Sequence, residues 1–353
     1  MPTRSNTLGK NEDRGHWGSV PPNGLVQMSC PYAKASNGAI VLVAIHGWKE
    51  APVTVCVAAL CAGGDAVIGV ADRMLTAADI ITFEPQRSKI WSLTTSIMVM
   101  IAGDTALQME ILLAVTSDVN ARIQTSPKDW WLLRDVADLY VKHYNRIRSV
   151  RAESQVLLPL GLDMASWVGR QRELVPSIAE QIAQRLATFE LPTSDALIVG
   201  SDPLGVHIYA VRRGVVTCED GFDFAAIGIG AWHASSQLMF AGHTRINALA
   251  STLYLAYTAK RRAEVAPGVG PATDMFMVRK SLGSYLPVAQ SVVDELDKRY
   301  RRSEVQMKRA MKRAETLFES YLLGLLKARP DDEQRLSRPG DAKADTQDGS
   351  ASS

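Results

Sequence analysis

Short apolar runs with strand character begin at Val53. Apolar and β-branched residues cover Val53–Leu60 and Ala66–Ala71, and Gly63-Gly64-Asp65 between them is typical of a turn. We therefore predict a β-hairpin that ends at Asp72-Arg73.

Groups of strands alternate with groups of helices over the following two hundred residues. The patterns predict strands over Lys89–Leu93, Ile97–Ala102, Ala196–Gly200, Gly205–Val211, Val215–Cys218, Ala225–Gly230 and Met275–Val278, and helices from Ala106, through much of 127–190, and over Trp232–Phe240 and Ile246–Ala263. This order is typical of two antiparallel sheets covered by helix layers, an α+β sandwich.

Both ends of the chain differ from this pattern. Residues 1–38 are rich in Gly, Pro, Asn and Ser, which predicts disorder, whereas 39–46 has the character of a strand. A long helix is predicted over Leu286–Lys327, and its basic middle is typical of a solvated face. We divide the chain into an extension (1–52), a main domain (53–280), a basic helix (281–328) and a disordered tail (329–353).

Composition narrows the function. The 353 residues carry a formal net charge of +2, with 46% hydrophobic and 22% charged residues, which excludes wholesale disorder. The near-zero net charge gives no global attraction to nucleic acid or membranes, so we expect neither partner. Apolar runs are too short to span a membrane and no secretory signal is recognisable. The four cysteines lack zinc or redox spacing, so we expect reduced thiols, a cytoplasmic location, no metal and no cofactor.

The segment 54–104 places reactive residue types at the ends of predicted strands. Thr54 begins one strand, Asp72 ends its partner, and Lys89 begins a third. A hydroxyl needs an adjacent base to act as a nucleophile, and a free α-amine on Thr54 would supply one. The Lys89 ammonium would favour ionisation of the hydroxyl, Asp72 would orient Lys89, and the Gly103 N–H could face an oxyanion.

These residues resemble the proteasome β-type family of N-terminal-nucleophile hydrolases. Thr54, Asp72-Arg73, Lys89-Ile90 and Ala102-Gly103 match its nucleophile, aspartate, lysine and oxyanion motifs. The resemblance extends over Val53–Val278 and implies a four-layer αββα sandwich. It also implies a threonine-type endopeptidase or amidohydrolase that acts on a peptide or small amide. As partners it implies further copies in a ring or stacked rings, and an ATPase that feeds them.

Three positions depart from the family pattern. Glu264 stands where an aspartate usually supports the threonine amine, and we expect it to take that role. Ile229 and Pro267 stand where the family has serines. These departures leave a second interpretation open, a catalytically inactive proteasome-like assembly or interaction subunit that uses the long helix as its contact element.

Thr54 is internal in the sequence, so its nitrogen is an amide. Autocleavage after Val53 is one route to a free amine, although family members usually have glycine there and β-branched valine resists the strained turn. The other is translation from Val53, which can be encoded by the start codon GTG, with removal of the initiator methionine before Thr54. Lys49-Glu50 can be encoded AAG-GAG, a purine tract that resembles a ribosome-binding site. A different valine codon would exclude this second route.

Cysteine and histidine residues offer weaker alternatives. Cys56 and Cys61 lie in an apolar strand, which favours a packing role over nucleophilic chemistry. His207, His233 and His243 lack the spacing of a metal site, which favours structural or surface roles.

Overall fold

The computed structural model describes residues 54–77, 81–83 and 88–336. Predictions for residues 1–53, including the disordered extension, the strand over 39–46 and the environment of Cys30, lie outside the described residues. So does the part of the predicted tail beyond residue 336. None of the described helices is long and apolar enough to cross a membrane.

The first sheet is built around the predicted hairpin. Its strands are β1 (Cys56–Cys61), β2 (Ala66–Asp72), β10 (Phe224–Ile227), β11 (Thr273–Arg279) and β12 (Ser284–Pro287), in the spatial order β10-β1-β2-β11-β12. β1 and β2 pair antiparallel from Cys56↔Ala71 to Cys61↔Ala66, which confirms the hairpin. Gly63 and Gly64 between them have φ of 74° and 88°, values that a side chain opposes.

The second sheet is also antiparallel. Its strands are β5 (Ile90–Ser92), β6 (Ile97–Gly103), β7 (Ser194–Ser201), β8 (Val206–Arg212) and β9 (Val215–Cys218), in sequential spatial order. Two short strands, β3 (Leu75–Ala77) and β4 (Ile81–Phe83), pair with each other. In the sequence they lie between β2 of the first sheet and β5 of the second. The sequence did not predict this small pair, because three-residue strands are too short for an alternating pattern.

Seven α-helices lie among the described residues. They are α1 (Thr105–Thr125), α2 (Leu133–Ala152), α3 (Met164–Arg170), α4 (Pro176–Ala187), α5 (Ala231–Phe240), α6 (Leu249–Ala263) and α7 (Gln290–Leu336). Between α2 and α3 the chain passes through a π-helical turn and a 3-10 turn that ends at Leu160. Pro159 and Gly161, which has φ of 71°, account for this break.

Apolar residues lie both between the sheets and outside them. Alternate residues of β1 (Cys56, Ala58 and Leu60) pack in one cluster with Met98 and Met100 of β6. The other face of the second sheet packs against α1 and α2. Ile68 and Val70 of β2 pack against α6 and the start of α7. The fold is therefore a mixed α and β arrangement in which two antiparallel sheets share a core.

The end of the chain differs most from the predicted elements. Strand β12 includes Leu286 and Pro287, so α7 begins four residues after the predicted start of the long helix. The helix also continues to Leu336, through the first residues of the predicted tail. Both differences have the same cause, because apolar or polar composition alone does not distinguish an edge strand from a helix start, or a solvated helix from a coil.

Candidate active site

Three polar side chains meet where β1, β2 and β5 come together. Lys89 Nζ lies 2.9 Å from Asp72 Oδ1. The Thr54 hydroxyl donates to the same aspartate oxygen and accepts from Lys89 Nζ. Thr54, Asp72 and Lys89 are 1%, 0% and 5% exposed. The structure thus brings three of the predicted site residues into direct contact.

The two sheets supply different parts of this cluster. Thr54 lies just before β1 of the first sheet, where the Val55 carbonyl accepts from Asp72 N–H at 3.2 Å. Lys89 directly precedes β5 of the second sheet, and its carbonyl accepts from Ile101 N–H at 3.2 Å. The Lys89 side chain therefore reaches from one sheet to the carboxylate of the other. The Lys89–Asp72 pair links the sheets at this end of their shared core.

Backbone N–H groups hold the Asp72 carboxylate in place. Val55 N–H donates to Oδ1 at 3.0 Å, and Met74 N–H donates to Oδ2 at 3.0 Å. Gly270 N–H donates to Oδ2 at 3.2 Å. With the Thr54 hydroxyl and Lys89, both carboxylate oxygens accept hydrogen bonds from several donors.

Gly103 is the last residue of β6, and its backbone N–H points toward the neighbouring strand β5. Asp104 N–H donates to the Thr193 carbonyl of the segment leading into β7, whereas Ile101 N–H donates to Lys89. Because N–H directions alternate along a strand, the Gly103 N–H points away from β7, toward the side from which Lys89 comes. Its φ is 103°, and a Cβ atom would lie 2.0 Å from the Thr193 carbonyl oxygen. Only glycine fits this position.

Glu264 does not contact Thr54. Its Oε1 accepts from Lys260 Nζ at 2.7 Å, and its Oε2 lies 3.3 Å from Arg261. The predicted direct support of the threonine amine by Glu264 is therefore not seen in this arrangement. The residue lies just beyond the end of α6, where its carboxylate pairs with Lys260 and Arg261, two of the three basic side chains of the last helical turn.

Lys260 belongs to the site, although the sequence did not single it out. Its side chain is 0% exposed, and Nζ donates to the Gly270 and Pro271 carbonyls at 2.7 and 2.8 Å. Burial lowers the pKa of Lys260, and the Glu264 carboxylate opposes that shift. Lys260 thereby holds the segment whose N–H binds Asp72. Its signal in the sequence is its position four residues after Ala256 and eight after Thr252, both fully buried, on the core face of α6.

The backbone around Thr54 is enclosed by a glycine-rich turn. Gly230 N–H donates to the Thr54 carbonyl at 3.2 Å. Gly228 has φ of 89°, and a Cβ atom there would lie 2.3 Å from the Thr54 carbonyl oxygen. Ile229 packs against the cluster that contains Val55, and Pro267 is exposed. Neither position supplies a hydroxyl, so Asp72 and Lys89 are the side chains that hydrogen-bond the Thr54 hydroxyl in the described part of the chain.

A second ion pair lies beside the cluster. Arg73 Nε donates to Asp274 Oδ1 at 2.9 Å, and Asp274 pairs with Ala71 across β2 and β11. This contact ties the residue after Asp72 to the neighbouring strand. Asp274, to which the sequence assigned no role, therefore stabilises the end of β2.

Cys56 lies near the site without being a candidate nucleophile. Its thiol donates to the Ile101 carbonyl with a separation of 3.4 Å and is fully buried. Burial raises the pKa of Cys56 to about 12, although the Lys89 charge opposes the shift. The thiol is therefore neutral near pH 7, and the Thr54 hydroxyl is the group that hydrogen-bonds both Asp72 and Lys89.

No group of three or more His, Cys, Asp or Glu side chains in the described ranges is arranged to hold a metal ion. No protein-family model and no curated protein matches the chain. What the cluster can do chemically follows from its three side chains: the Thr54 hydroxyl is held between a carboxylate that accepts its hydrogen bond and an ammonium group that could stabilise negative charge on its oxygen.

Proposed function

We propose that this protein is an N-terminal-nucleophile hydrolase of the proteasome β type that cleaves amide bonds with Thr54. The observation that carries the proposal is the mutual contact of Thr54, Asp72 and Lys89 in a buried cluster at the start of β1. The two facing sheets, with α1 and α2 on one outer face and α6 and α7 on the other, support a four-layer αββα sandwich.

Thr54 acts as nucleophile once its nitrogen is a free amine. The amine takes the hydroxyl proton while Oγ1 attacks the carbonyl carbon of the substrate. Lys89, which already contacts Oγ1, stabilises the negative charge that develops there, and Asp72 holds Lys89 in place. Collapse of the tetrahedral intermediate breaks the C–N bond, and the amine passes its proton to the leaving nitrogen. Water then hydrolyses the resulting ester on Thr54.

The Gly103 N–H is the proposed oxyanion donor. It lies on the β5 side of β6, as Lys89 does, and the turn admits no side chain that would crowd it. An oxyanion donor of this kind contributes roughly 10² to 10³ in rate in comparable sites. In this mechanism Glu264 acts through Lys260 and the Gly270 segment, by keeping the Asp72 carboxylate in position.

The proposal requires that residues 1–53 be absent from the active chain. Thr54 is 1% exposed in the full chain, so a substrate cannot reach Oγ1 there. The proposal therefore needs the site to open when the preceding residues are removed or not translated. Cleavage after Val53 would expose Thr54, and so would translation from the Val53 codon followed by removal of the initiator methionine. Peptides or small amides are the proposed substrates, and ring assembly with an ATPase partner is the arrangement that the family resemblance favours.

The test combines the N-terminus with covalent labelling. The protein is expressed from its own gene, its N-terminal peptide is identified by mass spectrometry, and it is treated with a threonine-directed electrophile such as a peptide epoxyketone. We expect a chain that begins at Thr54 and one adduct on that residue. Thr54→Ala should give no adduct, Asp72→Asn should react at least about 100-fold more slowly, and exposed Thr125→Ala should react normally.

The inactive assembly subunit is the second candidate. It is favoured by the apolar packing of Ile229 beside Val55 and by the amide nitrogen of Thr54 in the full chain. A folded chain that begins at Thr54 and still forms no adduct would support this candidate against the hydrolase. A chain that retains residues 1–53 in the cell would do the same.

A further inference from the structure

Among the side chains of α7 that the structure describes, only those of its first part pack into the core of the protein. Val293, Leu296 and Tyr300 belong to the core cluster on the first sheet. Arg262 contacts the Met307 sulfur at 3.3 Å. Every residue from Val305 to Leu325 is exposed, although the helix continues to Leu336. From Val305 to Leu325 the helix therefore extends past the sheet and contacts solvent on all sides.

The exposed part carries an apolar stripe with the spacing of a coiled coil. Its members alternate at intervals of four and three residues: Met307, Met311, Ala314, Phe318, Tyr321 and Leu325. Phe318 and Tyr321 stack with their ring centres 6.3 Å apart, and each is 60% exposed. Spacing of this kind keeps all members on one face of the helix over roughly 27 Å. A solvated helix of this length normally owes its stability to packing of such a face.

We propose that this stripe binds the same stripe of a second copy of the chain, as an antiparallel two-helix coiled coil. An antiparallel register centred on Thr316 places Met307 opposite Leu325, Met311 opposite Tyr321, and Ala314 opposite Phe318. Each layer then combines a smaller residue with a larger or equal one. A parallel register would place Ala314 against Ala314 and Phe318 against Phe318, which leaves one layer underfilled and the next overfilled.

Charge along the helix favours the same arrangement, independently of the apolar layers. Positions 298–302 contain four basic residues, and positions 331–333 are Asp, Asp and Glu. The register set by the stripe brings these two stretches opposite each other and places Arg313 opposite Glu319. A parallel pair would align each basic stretch with its own copy. A membrane-binding helix would be expected to be basic along its whole polar face, whereas Glu315 and Glu319 interrupt this one.

Cysteine cross-linking of the full chain tests the register. Ala314→Cys and Phe318→Cys are made separately, each together with Cys30→Ser and Cys218→Ser, and the buried Cys56 and Cys61 are retained. After mild oxidation, a mixture of the two proteins should give a disulfide between position 314 of one chain and position 318 of the other, identified by peptide mass. Each protein alone should cross-link poorly, because equal positions lie four residues out of register. Efficient 314–314 and 318–318 cross-links would overturn the antiparallel pairing.

Light scattering tests whether the stripe holds the copies together. Phe318→Asp should lower the particle mass at equal concentration, to one half where the stripe alone joins two copies. Leu323→Asp is the matched control, since Leu323 is 57% exposed on the opposite face of the helix, and it should leave the mass unchanged. An unchanged mass with Phe318→Asp would overturn the proposal. The proposal would also be overturned if Phe318→Asp abolished binding to phosphatidylglycerol vesicles but left the particle mass unchanged. Thr54→Ala should not affect either measurement, so this proposal and the hydrolase proposal can fail separately.

Discussion

Lys260 is coupled to Asp72 through one short backbone segment. Its ammonium binds the Gly270 and Pro271 carbonyls, and the Gly270 N–H binds the Asp72 carboxylate. A buried ammonium is costly unless its donors are used, and Lys260 uses them on two carbonyls and on Glu264. The position of the Asp72 carboxylate therefore depends on a residue that lies at the far side of that segment.

Replacing Lys260 by methionine should loosen this segment while preserving the sheets. Lys260→Met leaves two buried carbonyls without their donor, so we expect the free energy of unfolding to fall by about 1–3 kcal/mol. The Gly270 amide should exchange with deuterium at least about tenfold faster. Denaturant unfolding and hydrogen exchange measure the two effects.

Lys308→Met is the matched control for this substitution. The Lys308 side chain is 75% exposed and pairs with Glu304, four residues earlier on the same helix. We expect a change within about 0.5 kcal/mol and no effect on the Gly270 amide. Normal protection of that amide in Lys260→Met would contradict the coupling.

The proximity of Thr54, Asp72 and Lys89 could be predicted because each residue adjoins a strand that is visible in the sequence. The roles of Glu264 and Lys260 could not, since they depend on which way the last turn of α6 faces. A lysine at a core-facing helical position indicates a buried ion pair, but the pattern does not identify the residue with which it pairs. The carbonyl partners at 270 and 271 lie in a loop, where no periodic pattern predicts position.

At the scale of secondary-structure elements, His243 fastens the turn between α5 and α6 to β1. Its Nε2–H donates to the Leu60 carbonyl at 3.0 Å, and its backbone N–H donates to Leu238. Nδ1 is buried and has no hydrogen-bond partner among the described residues. Burial lowers the pKa of His243 below its usual 6.5, although the hydrogen bond to Leu60 and the Asp223 carboxylate oppose that shift. The ring is therefore held in its neutral form.

This contact should make the stability of the fold depend on pH. The unfolded chain binds a proton on His243 near pH 6.5, whereas the folded chain resists it, so the free energy of unfolding should fall as pH decreases below about 6.5. One such proton contributes at most about 1.4 kcal/mol per pH unit. Urea unfolding between pH 7.5 and 5 should show a smaller slope in His243→Gln than in the wild type.

Exposed His233→Gln separates this effect from a general response to acid. We expect His233→Gln to keep the wild-type slope. Equal slopes in the wild type and His243→Gln would contradict the proposed role of the buried ring.

Strand prediction was most accurate where a pattern and a turn residue agree. The predicted Val215–Cys218 is β9 itself, and Ala196–Gly200 lies within β7. Strand β12 was missed because Tyr285, Leu286 and Pro287 continue the polar and apolar pattern of the following helix. Its identity as a strand is set by pairing with β11, which is a long-range contact rather than a local preference.

At the scale of the whole molecule, apolar residues pack between the two sheets and between each sheet and the helices outside it. Sequence order predicted two antiparallel sheets with helices around them, since strands and helices come in blocks. The sequence predicted a solvated face for the basic middle of α7, but not that every residue from Val305 to Leu325 is exposed, because the apolar spacing continues from the packed half into the exposed half. The same helix serves the core of the domain first and an exposed surface afterwards.

This division of α7 predicts opposite outcomes for two similar substitutions. Leu296 is 7% exposed and packs with the core cluster on the first sheet, so Leu296→Ala should lower the free energy of unfolding by about 2–5 kcal/mol. Leu323 is 57% exposed on the face away from the stripe, so Leu323→Ala should change it by less than about 0.5 kcal/mol. Both substitutions remove the same atoms from the same helix, so helix propensity contributes equally and cancels in the comparison. Denaturant unfolding of the full chain measures the difference. Equal losses would mean that the two halves of α7 unfold as one unit with the domain, whereas a loss confined to Leu296→Ala would show that the domain depends on the first half alone.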